Sequence, residues 1–262
     1  VGEDGVVKFY DVSTFDVSGM IREPDHKGGL GPAATFVMKD QSCLAVARKH
    51  DSAIVIYDVE TLSEVKVLES LHDSPVTSMS YNSKYDVLVS FDSGGMIEYS
   101  DFSGNDSSAT GTQVQPNKGA IDFESKFNTD LYDLAKKKTS AIASCISPDG
   151  LALAVMSGDD KVRLYDFRTG KVVTKFGESE KVYGKLQQKG ELEGIDMIEY
   201  GRRNALEKEI KDSAVVDNGE NPFDTGSGMQ RMTMAFDNSS RYLLYPSLIG
   251  IKCLDILKNR QM

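Results

Sequence analysis

The chain has 262 residues, of which 40% are hydrophobic and 27% are charged, and its formal net charge is −10. This balance is typical of a folded globular protein with a large core. The acidic surface disfavours direct binding of nucleic acid, and no apolar run approaches the roughly 18 residues that a membrane-spanning helix needs.

The first half of the chain alternates between strand-like runs and turns. Residues 1–22 predict the end of one small antiparallel sheet, and residues 23–32 form a loop rich in Gly and Pro. Residues 33–69 contain four strand-like runs. Residues 71–127 contain three more, in which apolar and polar side chains alternate, followed by a polar loop from residue 103. A short helix is predicted over residues 128–138, with an N-terminal cap and late lysines.

The second half repeats the strand pattern and adds a longer helix. Residues 139–178 give the clearest four-stranded unit, SPDGLALAVMSGDDKVRLYDFRTGKVVTKF in its core. Residues 190–213 predict an inserted helix with a charged row and a narrow apolar row, which suits a surface position. After a flexible linker, residues 229–262 predict an incomplete sheet of three strands.

A strand that ends in an aromatic residue followed by Asp recurs along the chain. Two of the steps between copies are close to the roughly 40–45 residues of a WD-repeat blade, and the two longer steps coincide with the predicted insertions. The sequence therefore predicts an all-β WD-repeat β-propeller. We expect it to be partial, with about four to five blades of a probable seven, and with two inserted helical segments. We also expect a fragment of a longer protein, because the chain begins inside a strand pattern and stops after a third strand.

Blades of this type can carry a hydrogen-bonded tetrad of His, Ser or Thr, Asp and an aromatic residue. In one blade the candidates are His72, Ser90, Asp92 and Tyr99. In the clearest blade they are Ser157, Asp159 (or Asp160) and Tyr165. Because the chain has no Trp, Tyr would supply the aromatic body without the indole N–H donor. A catalytic acid–base role for His72 and Asp92 is the alternative, and the structural role is favoured.

No catalytic, cofactor-binding or metal-binding constellation stands out. The histidines His26, His50 and His72 lack metal-ligand spacing, and the GGLG run from Gly28 has no following Lys-Ser/Thr for a phosphate. The cysteines Cys43, Cys145 and Cys253 are odd in number and widely spaced, which indicates reduced thiols in a cytosolic or nuclear protein.

At the inserted helix, EYGRRNALEKEI at residues 199–210 resembles a signature of the nuclear WD-repeat cyclophilins. Other stretches agree in the same order: VKFYDV at 7–12, GMIEY at 95–99, TDLYDLAK at 129–136, SPDG at 147–150, FGES at 176–179 and LIGIK at 248–252. The resemblance implies an N-terminal seven-bladed propeller followed by a cyclophilin domain that isomerises X-Pro bonds. The family's association is with spliceosomes and, in plants, with chromatin. This chain departs from the family by lacking the catalytic part, and by having Ser100 where a Trp is expected.

The resemblance favours a nuclear protein-interaction scaffold, a monomer in a larger assembly with protein partners. The candidate residues for partner contact, or for bracing of a blade, are Arg202, Arg203 and Glu207. Two alternatives stay open. The parent protein is a peptidylprolyl isomerase of which this chain is the non-catalytic part, or the chain is a WD-repeat scaffold unrelated to splicing.

Overall fold

The computed structural model describes residues 1, 4–23, 29–38, 40, 42–49, 51–101, 121–123, 125–192, 194–216, 233–258 and 260–261. They form two compact units, Val1–Ser140 and Ala141–Met262, which are described separately. Both units are built from small antiparallel sheets whose strands are neighbours in sequence, so the predicted all-β architecture is confirmed.

The first unit contains three sheets, in the strand orders β1-β2, β3-β4-β5-β6 and β7-β8-β9. A short 3-10 helix, Lys126–Asn128, and a one-turn helix α1, Asp133–Lys136, follow the third sheet. The strands are β1 Val6–Tyr10, β2 Val17–Arg22, β3 Leu30–Val37, β4 Cys43–Arg48, β5 Ile54–Asp58, β6 Glu64–Leu68, β7 Val76–Asn82, β8 Val87–Asp92 and β9 Ile97–Asp101.

The second unit contains two four-stranded sheets, β10-β11-β12-β13 and β14-β15-β16-β17, with two helices between them. The helices are α2 Glu180–Lys189 and α3 Met197–Val216. The strands are β10 Ala141–Ile146, β11 Ala152–Ser157, β12 Lys161–Asp166, β13 Val172–Gly177, β14 Ala235–Phe236, β15 Tyr242–Ser247, β16 Gly250–Asp255 and β17 Arg260–Gln261.

The recurring aromatic-Asp pair marks the turn between the last two strands of a sheet. The Asp side chain accepts a backbone N–H two or three residues later, at 2.7 Å for Asp11, 2.7 Å for Asp58 and 2.8 Å for Asp166. The strand pairing shifts by one residue at the preceding aromatic residue in each of these sheets. The motif therefore specifies a bulged hairpin, in which an Asp side chain replaces a missing backbone partner.

Neighbouring sheets pack face to face. The sheet β3–β6 is covered on both sides because successive side chains point to opposite faces. One face contacts the first sheet through an apolar cluster, and the other contacts the third sheet through a second cluster. Burial of each aliphatic side chain contributes about 1.5–3 kcal/mol to the free energy of unfolding. The first cluster consists of Val7, Ile21, Leu30, Leu44, Val46, Val55 and Tyr57, and the second of Ala33, Val37, Cys43, Ala45, Ala47, Ile54, Ile56, Val76, Met79 and Leu88.

Several sequence-based expectations need correction. The last sheet has a fourth strand, since β17 pairs with β16 through Leu254 and Gln261, so the expected three-stranded end was wrong. The segment predicted as one inserted helix is preceded by a separate helix α2, which had not been expected. The helix predicted over residues 128–138 is shorter, and α3 continues past residue 213.

Part of the predicted pattern lies outside the described residues. It includes most of the loop that begins at residue 103, most of the linker before residue 229, and the histidines His26 and His50. The number of blades stays a prediction.

The turn between β8 and β9 requires glycine at position 95. Gly95 has a φ of +84°, and a Cβ added there would lie 2.4 Å from the carbonyl oxygen of Thr139 and 2.7 Å from the amide nitrogen of Ala135.

We therefore expect Gly95→Ala to lower the free energy of unfolding by about 3 kcal/mol, measured by urea denaturation. As a control, Gly190 has a φ of +70° with nothing within 4 Å of an added Cβ. Gly190→Ala should cost only about 1 kcal/mol, and equal losses in both variants would contradict the steric argument.

Candidate functional site

His72, Ser90 and Asp92 form a buried hydrogen-bonded chain in the third sheet. The Nε2 atom of His72 lies 2.6 Å from Ser90 Oγ, and its Nδ1 atom lies 3.2 Å from Asp92 Oδ2. The other oxygen of Asp92 accepts the Met96 backbone N–H at 2.7 Å. These hydrogen bonds thus connect the segment before β7 to strand β8 and to the β8–β9 turn.

The connectivity Asp–His–Ser is the same as in a serine-hydrolase triad, so its setting decides the role. Ser90 is completely buried in the middle of strand β8, and His72 and Asp92 are buried with it. A nucleophile must be accessible to the bond that it attacks. Burial of Ser90 Oγ therefore favours the structural role, in which the three side chains satisfy each other's hydrogen bonds.

Tyr99, the fourth residue proposed for this tetrad, lies on the wrong face of its strand. Ser90 pairs with Glu98 across β8 and β9, so these two side chains share a face while Tyr99 points to the other. Tyr99 is buried against the ring of Phe123, with centroids 6.0 Å apart at an edge-to-face angle. The position that shares a face with Ser90 is Ser100, where the resemblance led us to expect Trp.

In the fourth sheet the polar cluster centres on an arginine that the sequence analysis missed. The guanidinium of Arg163 is fully buried and donates to both carboxylate oxygens of Asp159, at 2.8 and 2.7 Å. Ser157 donates to Asp159 at 2.6 Å and also contacts Arg163, and Lys161 Nζ reaches the same carboxylate at 3.0 Å. The strand period was a usable signal, because residues 161, 163 and 165 of KVRLYD must share one face.

Tyr165 shares this face but lies away from the cluster. It pairs with Leu153 across β11 and β12, whereas Ser157 pairs with Lys161 near the other end of the same strands. Tyr165 is completely buried. The candidates Ser157 and Asp159 are therefore brought together, and Tyr165 stands apart from them.

Two effects oppose each other in setting the pKa of Asp159. Burial raises this pKa, but hydrogen bonds from Arg163, Ser157 and Lys161 outweigh it and bring the pKa well below its ordinary value of 3.8. The carboxylate is consequently charged at neutral pH and compensates the buried guanidinium.

A similar ion pair joins the first sheet to the second. Arg48 Nε donates to Glu23 Oε1 at 2.8 Å, and the Tyr57 hydroxyl lies 3.4 Å from the same oxygen. All three side chains are buried. Burial, followed by the charge of Glu23, raises the pKa of Tyr57 far above its ordinary value. None of these three residues was a sequence candidate.

The second unit has a buried carboxylate with three partners. Glu178, at the end of β13, accepts hydrogen bonds from Tyr183 on α2 and from Tyr245 on β15, the latter at 2.8 Å. Lys252 on β16 reaches its two oxygens at 3.1 and 3.0 Å and also lies 4.8 Å from the centre of the Tyr183 ring. This cluster, the Glu178 hub, attaches helix α2 to both sheets of the unit.

The inserted helix α3 is tied to the last sheet by Arg203. The Nη1 atom of Arg203 donates to the carbonyl oxygen of Ile249 at 2.7 Å, and its Nε atom donates to Glu199 at 2.8 Å. Arg202 also pairs with Glu199, at 3.1 and 3.0 Å, but its side chain is 69% exposed. Burial, followed by the hydrogen bond to Glu178, raises the pKa of Tyr183, and the charge of the partly buried Glu207 adds to this effect. Arg203 therefore braces the sheet, and Arg202 faces solvent.

Helices α2 and α3 are joined at Glu180. The Tyr200 hydroxyl donates to the backbone carbonyl of Glu180 at 3.3 Å, and Asn204 Nδ2 donates to its side chain at 2.8 Å. Lys208 lies 3.4 Å from the same carboxylate. The inserted segment is thus fixed to the sheet on one side and to α2 on the other.

The cysteines and the metal-ligating residue types are the remaining candidates from the sequence. The three cysteines are free, with Cys43 buried and the other two partly buried, and burial raises the pKa of Cys145 to about 12. Within the described ranges, no group of three or more His, Cys, Asp or Glu side chains is arranged to hold a metal ion. Among the residues that the structure describes, no helix has both the length and the apolar character required to cross a bilayer.

Curated proteins match this chain over 99% of its length. Peptidyl-prolyl cis-trans isomerase cyp15 of Rhizopus delemar is 32% identical, and 38% of that protein is covered. Peptidylprolyl isomerase domain and WD repeat-containing protein 1 of Homo sapiens is 31% identical, with 37% covered. The isomerase CYP71 of Arabidopsis thaliana is 30% identical, with 38% covered. This chain is homologous to one portion of the WD-repeat-containing peptidylprolyl isomerases. It spans little more than a third of their length, and that portion is the WD-repeat part. No protein-family model matches the chain.

The fold has a solved counterpart. A WD40 propeller chain in the crystal structure of the mitotic checkpoint complex superimposes with a TM-score of 0.52 at 15% identity, and the match covers 96% of this chain and 55% of that one. At this identity the likeness establishes the fold alone. It agrees with the sheet-on-sheet packing described above.

The Asp159–Arg163 pair predicts a pH-dependent stability. Asp159→Asn leaves the buried guanidinium without its counter-charge, and should lower the free energy of unfolding by about 3 kcal/mol near neutral pH. Because the folded pKa is depressed, the contribution of Asp159 is present above 3.8 and is lost as the pH falls toward the folded value. The gap between wild type and variant should therefore narrow at about pH 3 in urea denaturation. Asp4→Asn is the control, because Asp4 pairs with Lys8 and its side chain is 46% exposed. An equal loss there would contradict the role of burial.

Proposed function

We propose that the chain is a protein-interaction scaffold, the WD-repeat part of a nuclear cyclophilin-type protein that associates with the spliceosome or with chromatin. The observation that carries this proposal is the extent of the homology. It covers 99% of this chain but only 37–38% of each relative, and it falls on the WD-repeat portion. In this proposal the chain acts as a monomer within a larger assembly of proteins.

The arrangement of polar side chains supports a scaffold. His72 and Ser90, which could act as a base and a nucleophile, are buried and hydrogen-bonded to each other, and the partly buried Asp159 is hydrogen-bonded to Ser157. Such networks hold sheets in fixed positions, so loops and inserted helices are displayed on a rigid frame. Arg202 on α3 has the side chain type and exposure of an interface residue.

A second candidate concerns the whole parent protein. The relatives are named peptidyl-prolyl isomerases, which favours a parent that isomerises X-Pro bonds in a segment outside this homology. In that case the present chain would bring the isomerase to its substrates rather than perform the reaction.

Purified chain should not accelerate prolyl isomerisation of a test peptide. The expectation follows from the burial of its candidate acids and bases. The rate of isomerisation is measured by absorbance after a change of solvent that shifts the cis/trans equilibrium of the peptide. A full-length human relative serves as the positive control. A rate above the uncatalysed one, scaling with the concentration of the chain, would contradict the assignment of catalysis to another segment.

The proposed association can be tested with tagged chain in a nuclear extract that splices a reporter transcript. We expect the chain to recover spliceosomal small nuclear RNAs together with spliceosomal proteins, and Arg202→Glu to reduce that recovery. The matched control is Lys189→Glu on α2, because Lys189 is 67% exposed and the change in charge is the same. Recovery of histones instead would support the chromatin version. Recovery of neither would leave a WD-repeat scaffold unrelated to splicing.

A further inference from the structure

An aromatic side chain stands out in solvent beside strand β9. The ring of Phe127 stacks on that of Tyr132 with centroids 5.8 Å apart and an angle of 24° between the planes. Although it makes this contact, Phe127 is 87% exposed. Aromatic side chains, Phe and Tyr among them, are enriched in protein–protein interfaces relative to the rest of the surface.

The segment that carries Phe127 is firmly anchored. Leu131 and Leu134 are at most 1% exposed, and Lys126 contacts the buried carboxylate of Glu98. The one-turn helix packs so closely against Gly95 that a single methyl group would not fit. Phe127 is therefore held in place before any partner arrives, which lowers the entropic cost of binding.

Positive charge lies next to the aromatic pair. The backbone N–H of Lys136 bonds to the carbonyl of Tyr132, so the two residues are one helical turn apart. Lys136, Lys137 and Lys138 are all exposed. On a chain with a net charge of −10, this is a local basic patch beside an aromatic one. We call residues 126–138 the aromatic platform.

We propose that the aromatic platform docks an acidic protein segment, in which an apolar side chain packs on Phe127 and carboxylates face the three lysines. Charge complementarity favours an acidic partner. A protein segment fits better than single-stranded RNA because of how charge is spaced along each ligand. RNA carries a phosphate at every nucleotide and would bring negative charge against Asp130 and Asp133, whereas a peptide can place carboxylates at the lysines and an apolar side chain elsewhere. The inference deepens the proposed scaffold role by naming the chemistry of one partner, and it does not depend on the spliceosome.

The test uses the full chain and three fluorescent probes. They are the peptide Glu-Glu-Leu-Glu-Leu-Phe-Glu-Glu, the same peptide with every Glu replaced by Lys, and an oligouridylate. Binding is measured by fluorescence anisotropy at low salt. We expect the acidic peptide to bind at least about tenfold more tightly than the other two, and its binding to weaken with added salt. We also expect Phe127→Ala to weaken this binding about tenfold.

A matched control distinguishes binding at the aromatic platform from nonspecific binding to exposed aromatic side chains. Phe15 is another phenylalanine in the same unit and is 82% exposed, so Phe15→Ala should leave binding of the acidic peptide unchanged. Replacing Lys136, Lys137 and Lys138 by Gln should weaken it about fivefold. Both variants change exposed side chains, and circular dichroism verifies that they fold. Equal binding of the acidic and basic peptides, preference for the oligouridylate, or insensitivity to Phe127→Ala would each overturn the proposal, whatever the outcome in nuclear extract.

Discussion

Face-to-face packing of small antiparallel sheets is the constraint on which the rest of this structure depends. A sheet of four short strands cannot keep its central side chains dry by itself, so it needs a neighbour on each face. The sheet β3–β6 has both, with alternate residues of β4 and β5 contributing to two separate apolar clusters. A polar side chain on such a face must therefore form its hydrogen bonds or ion pairs with other buried groups.

Several polar side chains meet this condition through ionic or hydrogen-bonded clusters. Arg163 is compensated by Asp159, Arg48 by Glu23, and Glu178 by Lys252 and two tyrosines. Buried pairs of this kind contribute little net stability relative to apolar residues, but breaking one is costly. They therefore restrict how sheets and helices can be arranged, which suits a frame that displays partner-binding elements.

The sequence was sufficient for the sheets because their signals are local. Alternation predicted the strands, and the Asp after each aromatic residue predicted a turn that the structure explains by side-chain capping. The same local reasoning placed Ser90 with Asp92 and Ser157 with Asp159. It failed for Tyr99, because Tyr99 pairs with Val89 and therefore lies on the opposite face of the sheet from Ser90.

What the sequence could not provide depends on contacts between distant residues. Helix α2 bonds through Tyr183 to Glu178, and another partner of that carboxylate, Tyr245, lies 67 residues away in the chain. The role of Arg203 depends on a carbonyl 46 residues away. Arg163 had a local signal in the strand period, but only its neutralisation by Asp159 explains a fully buried guanidinium.

The Glu178 hub has a consequence for the order in which this unit folds. It joins Glu178 to Tyr245 across 67 residues of chain and to Lys252 across 74. Closing so long a loop costs conformational entropy before any contact repays it. Since α2 shares that carboxylate with strands β15 and β16, neither helix nor sheet reaches its full set of partners until the other is in place. The two should open and close as one cooperative block, with matching protection of their amides in native-state hydrogen exchange.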